Sequence, residues 1–193
     1  MMKKLLRTEP MKRVLFLGAI LLIISTAIFI ASFLNKETLK EQEAYEYLLK
    51  NGDLTPQQAV GIVANIRQQS NFDTSVHEGE LPSTGLMCWT MAREEQLSEF
   101  AEEKGEEVTN FYLQLDFILE ELKDSSEYAN FQLANYHGYT VEDWNEAQSP
   151  EEAAVVFAYV YVRPAYLNET GLKGIAAELS AEVPHFSKGS QVL

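Results

Sequence analysis

The sequence predicts an all-α domain behind a single N-terminal transmembrane helix. Apolar residues recur at helical spacing in several well-capped segments, and no alternating apolar–polar stretch is long enough to make a convincing strand. In addition, Val14 to Leu34 is a run of 21 residues without a charge, long enough as a helix to span a bilayer core.

The apolar run sets the expected organisation. Lys3, Lys4, Arg7, Lys12 and Arg13 crowd its N-terminal side, so the positive-inside rule puts the N-terminus in the cytoplasm and residues 35–193 outside the cell membrane. A cleaved signal peptide ending near Ser25-Thr26-Ala27 is the competing reading. The run continues as Ile28-Phe29-Ile30 past that point, which favours an uncleaved single-pass anchor. No Cys follows the segment closely, which excludes lipoprotein anchoring. The expected divisions are a basic tail at 1–13, the anchor at 14–34, a helical domain at 36–181 and a polar tail at 182–193. The chain holds 15 Lys+Arg and 29 Asp+Glu, of which five and one precede residue 14; the remainder, ten against 28, gives the outer part a net charge of −18. Such a domain repels nucleic acid and anionic lipid, so nucleic acid is excluded as a partner. Cys88 is the only cysteine, so no internal disulfide contributes and stability must come from the helical core.

The helices are expected as follows. Residues 36–51 interleave Leu39, Tyr45, Leu48 and Leu49 with charges and stop at Asn51-Gly52. The best-marked helix spans 56–70: Thr55 is its N-cap, Pro56 its first residue and Gln58 the third member of a capping box. Ala59, Ile62, Val63 and Ile66 make its buried face, and the same face continues to Gln69 at the exit. Residues 71–89 read as irregular, punctuated by Gly79, Pro82 and Gly85. A helix over about 91–104 buries Leu97, Phe100 and Ala101, and another over about 109–123 is largely buried. Ser125 or Ser126 caps a short helix to Ala134, and 135–145 is a loop. Ser149-Pro150-Glu151-Glu152 is a second capping box, opening a helix through Phe157 and Tyr161 that stops at Arg163-Pro164. The final helix is expected over about 165–181.

Four blocks of this sequence resemble the phage tail lysozyme-type domain of the lysozyme-like superfamily, cell-wall hydrolases of phage tails and Gram-positive envelope machinery. The first is Leu54-Thr55-Pro56-Gln57-Gln58-Ala59-x-Gly61-Ile62-x-Ala64-Asn65-Ile66-x-x-Gln69-Ser70-x-Phe72-Asp73. The second is Gly85-Leu86-x-Cys88-Trp89-Thr90-x-x-Arg93, the third Gln114-Leu115-Asp116-x-Ile118-Leu119-x-Glu121-Leu122 and the fourth Phe157-x-x-x-Tyr161-Val162-Arg163-Pro164. The blocks come in the family's order and cover about residues 44–180. The resemblance implies a lysozyme-like helical fold and chemistry on the glycan strands of peptidoglycan. It also implies a general acid at the end of the first domain helix, its carboxyl held protonated by an apolar setting. The family has Glu there; this chain has Gln69. It also has Cys88 where the family usually has Gln and Val162 where it commonly has Glu. An amide hydrogen-bonds a sugar but has no acidic proton for the leaving oxygen, and general acid assistance is worth roughly 10²–10⁴-fold. The expectation is therefore a pseudoenzyme: a glycoside hydrolase fold that is catalytically degenerate and serves glycan binding or an envelope-spanning conjugation or secretion assembly.

Two alternatives stay open. Asp73, Glu78 or Glu80 could be a relocated acid in an active muramidase, with a carboxyl separation of roughly 5–9 Å from its partner, although solvated loop acids are the plainer reading. The acidity also suits a protein-interaction domain without glycan binding. Asn65, Trp89 and Tyr161 are the candidate substrate-binding residues, the two rings as a floor for pyranose stacking. The plainer reading makes the rings core aromatics, and makes Asn65 and Gln114 buried hydrogen-bonding groups that pin helices. A Cys88/His77 peptidase lacks a third orienting group. His77, His137 and His185 have no metal-ligand spacing, so neither a metal nor a cofactor is expected.

Overall fold

A computed structural model describes residues 19–20, 22–26, 39–77, 82–123, 127–128 and 137–189, with side-chain surroundings through 183. The chain separates into two compact units, Met1–Leu39 and Lys40–Leu193. In the first, residues 19–20 and 22–26 are helical and exposed. The Ser25 and Thr26 hydroxyls donate back to the Leu22 and Ile23 carbonyls at 2.9 and 2.8 Å. The rest of the expected anchor lies outside the described residues. Among the described residues no helix is long and apolar enough to cross a membrane.

The second unit is helical around one core. Helix α1 covers residues 40–51 and buries Ala44 and Leu48. Helix α2, Pro56–Ser70, has the expected capping box, with Gln58 N–H donating to Thr55 Oγ1 (3.2 Å) and Thr55 N–H to Gln58 Oε1 (2.9 Å). Every residue from Gln58 to Ile66 is buried, because α2 packs against both α6 (Pro150–Phe157) and α7 (Glu169–Gly189). The α2–α6 crossing depends on Gly61, where a Cβ would stand 2.9 Å from backbone atoms of Ala153 and Ala154. Four residues on, the Asn65 amide donates to Gly61 O (2.8 Å) and Ala154 O (2.9 Å), tying the two helices together. Charge reinforces the packing: Arg67 reaches Glu41 of α1 at 3.2 Å and Glu178 of α7 at 3.4 Å.

Helices α3 (Met91–Lys104) and α4 (Phe111–Glu121) follow. Gly105 closes α3 in the left-handed conformation (φ 66°), and Asn110 caps α4 by accepting from Tyr112 N and Leu113 N. The 71–89 stretch is less irregular than the sequence suggests. Strand β1 (Val76–His77) pairs antiparallel with β2 (Ser83–Thr84), Val76 opposite Thr84, and Thr84 makes a further bridge to Trp89. Two-residue strands fall below what side-chain alternation can reveal.

Three expectations need correction or placement. The loop expected over 135–145 contains a helix, α5 (Val141–Glu146), started by a Thr140/Asp143 capping box that seats Trp144 against Phe157 at 5.1 Å between ring centroids. The final helix starts at Glu169 rather than near 165, because Asn168 Oδ1 accepts from Gly171 N at 3.1 Å and marks the helix start. It continues to Gly189, through residues expected as polar tail, since Leu172, Ala176 and Leu179 set an apolar stripe that Val183 extends. The helix expected to reach Ala134 lies almost wholly outside the described residues. Finally, α6 passes into a π-helix, Ala158–Val162, ended by Arg163 in the left-handed conformation with its N–H on Ala158 O at 2.8 Å. Pro164 then forbids continuation.

Candidate functional site

Gln69 stands at the last turn of α2, half-exposed, where the buried face of that helix runs out. Three hydrogen bonds hold the exit. Ser70 Oγ donates to Leu86 O (2.9 Å), Cys88 Sγ to Gln69 O (3.4 Å), and Gln68 Nε2 to Asn168 O (3.3 Å). The exit therefore lies between the 84–89 turn on one side and the turn leading into α7 on the other. Asn71 and Phe72 follow with positive φ (50° and 63°), and Cys88 and Arg163 also have positive φ (51° and 54°). Non-glycine residues pay of order 1–3 kcal/mol for such conformations, which persist only where the surroundings over-determine them. Here the surroundings do so: Phe72 is fully buried, and its carbonyl accepts from Lys40 Nζ at 2.9 Å.

The turn facing Gln69 is clasped from α4 by Gln114. Its Oε1 accepts from Leu86 N (2.9 Å), and its Nε2 donates to Thr74 O (2.9 Å) and Val108 O (2.8 Å). Gly85 (φ 73°) passes so close to the Gln114 amide that a Cβ would meet it at 2.4 Å. Gln114 is thus a buried hydrogen-bonding group, as its plainer reading has it, but it pins a loop rather than a second helix.

Beneath this loop lies a buried ionic cluster. Glu121, fully buried, accepts from Arg93 Nε (2.8 Å), Arg93 Nη2 (2.8 Å), Trp89 Nε1 (3.0 Å) and the Tyr161 hydroxyl. Arg93 Nη1 donates to Tyr161 O at 3.1 Å, and its guanidinium stands 4.5 Å over the Tyr161 ring. Burial works against the Arg93 charge, but Tyr161 and Glu121 outweigh it and hold its pKa above the usual value. Burial, with the Glu121 charge beside it, pushes the Tyr161 phenol well up. A bidentate guanidinium–carboxylate pair whose carboxylate takes further hydrogen bonds is how a buried charge pair becomes tolerable.

These contacts place the candidate substrate-binding residues. Trp89 and Tyr161 are 1% and 0% exposed, so neither offers a ring face to a pyranose; both serve the Glu121 cluster. Asn65, also fully buried, serves the α2–α6 crossing. Asp73 is exposed and accepts from Ser75 N (2.9 Å) and Ser75 Oγ (2.7 Å), which hold its carboxyl below the usual range. A general acid needs the opposite shift. Glu78 and Glu80 lie outside the described residues. Burial raises the Cys88 thiol pKa, opposite to what a thiolate nucleophile requires, and His77 lies toward Asp73 at 4.0 Å rather than on the sulfur. No His/Cys/Asp/Glu grouping suited to a metal occurs among the described residues.

Arg93 and Glu121 fall within the second and third blocks, and the sequence alone assigns them no role. The available signal was an acid on the apolar face of α4, matched by an Arg four residues after the buried Trp89. Concavities elsewhere include one of about 260 Å³ bounded by Asp53, Leu54, Gln58 and Trp144. Another, acidic, is bounded by Glu99, Glu102 and Glu103.

What the α2 exit presents is a carboxamide, able to donate and accept hydrogen bonds. No curated protein matches the chain. The profile of the family described as phage tail lysozyme matches residues 40–180, nearly all of the second compact unit and all four blocks. The chain belongs to the phage tail lysozyme family.

Proposed function

We propose that this protein is a membrane-anchored, extracellular lysozyme-like domain that binds peptidoglycan glycan strands without cleaving them, within an envelope-spanning assembly. Gln69 is the observation that carries the reading. The fold's support for that position is complete: α2 is capped, its exit is tied to both flanking turns, and the loop is clasped by Gln114. The side chain that would give a proton is an amide. Asp73, the described carboxylate nearest in sequence, is held ionised by Ser75. The 14–34 run supplies the anchor in this reading, and the hydroxyls of Ser25 and Thr26 satisfied within their own helix suit an apolar solvent.

The test is a pair of assays on the purified full chain. Retention on insoluble peptidoglycan without release of soluble muropeptides is the expected result. Digestion that stops on substitution of Asp73, Glu78 or Glu80 by Ala would establish an active muramidase instead. Absence of retention at both low and moderate salt would favour a protein-interaction domain. For the anchor, carbonate extraction of membranes should leave the protein in the pellet, at full length.

A further inference from the structure

We infer that the surface made by His137, Tyr139, Tyr159 and Glu169 is a saccharide subsite for a hexosamine unit of a glycan strand, an inference that rests on the glycan-binding reading above. Tyr159 is carried by the π-helix, and between its buried neighbours Ala158 and Val160 it alone is partly exposed. Inserting a wider turn into a helix changes which side chains face outward, and such insertions recur at functional positions. The ring of Tyr139 stacks on that of Tyr159 (5.2 Å, 12°), and the exposed His137 lies against the same ring at 5.0 Å. Three rings from two separate segments thus cluster at the surface, His137 exposed and both tyrosines partly so, whereas Trp89 and Tyr161 are enclosed.

The face also has a polar anchor. Glu169 Oε1 accepts from the Tyr159 hydroxyl at 2.6 Å, and Lys173 Nζ stands 3.5 Å from Oε2. The Tyr159 hydrogen bond, with help from Lys173, lowers the Glu169 pKa, so the carboxylate is charged at neutral pH. Half-exposed and with acceptor capacity left, it can take a hydrogen bond from a sugar hydroxyl or amine. Aromatic faces pack on the C–H face of a pyranose, and a carboxylate beside them fixes the ring's orientation. That combination is polar enough to reject a plain hydrophobe and apolar enough to reject a simple ion.

The position joins this face to the candidate site. Asn168, the residue before Glu169, accepts from Gln68 beside Gln69, and Tyr166, 85% exposed, lies on the same turn. A strand crossing the α2 exit toward α7 would meet these residues next. With an exposed carboxylate on a domain of net charge −18, a hexosamine carrying a free ammonium gains a charge-assisted hydrogen bond that its N-acetylated form lacks.

The experiment uses the full chain in detergent micelles, titrated with the pentamers of N-acetylglucosamine and of glucosamine, alongside retention on peptidoglycan. Wild type should bind both pentamers, glucosamine more tightly at low salt. Tyr139→Ala and Tyr159→Ala should each weaken binding by roughly three- to ten-fold, the scale of one aromatic contact. Tyr159→Phe should keep the N-acetylated ligand. Glu169→Gln, which preserves shape, should remove the preference for glucosamine. Unchanged circular dichroism establishes that each variant is folded. If Tyr139→Ala and Glu169→Gln bind within two-fold of wild type while wild type is retained on peptidoglycan, the subsite is wrong and the glycan reading stands. If wild type binds neither pentamer nor peptidoglycan, both fall.

Discussion

The buried cluster around Glu121 and the exit of α2 around Gln69 draw on the same sequence blocks and have opposite characters. In the cluster, Trp89, Arg93, Glu121 and Tyr161 converge from three of the four blocks onto one carboxylate, and each depends on the others. At the exit, Gln69 is partly exposed, and the hydrogen bond it receives from Cys88 of the facing turn goes to its backbone carbonyl. In the reading proposed above, the family's residues are kept where the fold needs them and replaced where only chemistry would. Val162, between Tyr161 and Arg163, is partly exposed, and the same reading counts it among the replaced positions. That reading makes fold and catalysis separable in this molecule, and each side of the comparison can be tested.

The largest effect is expected in the cluster. Glu121→Ala leaves the Arg93 guanidinium buried with its carboxylate partner gone, and breaking such a pair from one side costs about 3–5 kcal/mol. Urea denaturation of the variant should show a loss of that size, with Arg93→Ala similar and the double variant far short of additive. A loss below about 1 kcal/mol for either, the level of a surface pair, would remove the contrast between the two regions.

Gln114→Leu comes next. It removes a side chain that satisfies Leu86 N, Thr74 O and Val108 O, and stranded buried polar groups cost about 1–3 kcal/mol each, less where water reaches them. Because two of those partners lie in the 71–89 stretch, limited proteolysis should cut there first. Cleavage confined to another segment would mean the clasp does not hold the site loop.

How much of this was legible in the sequence follows from what each element depends on. Helix α2 could be read to the residue because its start is a local event, Thr55 and Gln58 exchanging hydrogen bonds three residues apart. Helix α5 carried the same signal in Thr140 and Asp143, but six residues offer little apolar periodicity to confirm it. The start of α7 was missed because Asn168, rather than Pro164, decides it. At the site, Gln69 could be placed at the α2 exit by counting along one helical face. The roles of Trp89 and Tyr161 could not, since a lone aromatic beside a motif looks alike whether it faces a sugar or a carboxylate 32 or 40 residues away. Glu121 shows its function only once α3, α4 and the π-helix are brought together.

Groups in and around the two regions should also respond to opposite ends of the pH scale: Tyr161 in the cluster and Tyr47 of α1, which donates to Asp116 at 2.8 Å, against Asp73 beyond the exit. Burial, with the Asp116 hydrogen bond behind it, pushes Tyr47 up from 10 to about 12, and burial also holds Tyr161 well above its usual value. The folded state thus holds these protons where the unfolded chain has released them. Their contribution is complete below pH 10 and is lost as pH rises beyond it. Asp73, lowered by Ser75, works the other way: its contribution is present above the ordinary carboxylate range and is lost as pH falls through its folded value. Unfolding followed by circular dichroism against pH should show an alkaline loss that Tyr47→Phe reduces and a smaller acid loss that Asp73→Asn reduces. Coincident wild-type and Tyr47→Phe curves above pH 10 would refute the alkaline half of this.

The smallest expected effect on stability belongs to Gln69→Glu, and that smallness is its value. The position is partly exposed, and the hydrogen bond it receives from the facing turn ends on its backbone carbonyl, so the change should shift stability by no more than about 0.5 kcal/mol. If the degenerate reading is right, the same substitution returns a carboxylic acid to the one position the scaffold still supports. Peptidoglycan turnover should then rise above the wild-type background by up to roughly 10²–10⁴-fold, the worth of general acid assistance. With Cys88 and Val162 still departing from the family pattern, the gain should fall toward the lower end, and Val162→Glu added to Gln69→Glu should raise it further. An already active wild type that Gln69→Glu leaves unchanged would place the proton donor elsewhere and end the argument that this site has lost its chemistry. A silent wild type that stays silent in both variants, still folded and still bound to glycan, would show that the exit has diverged beyond its acid.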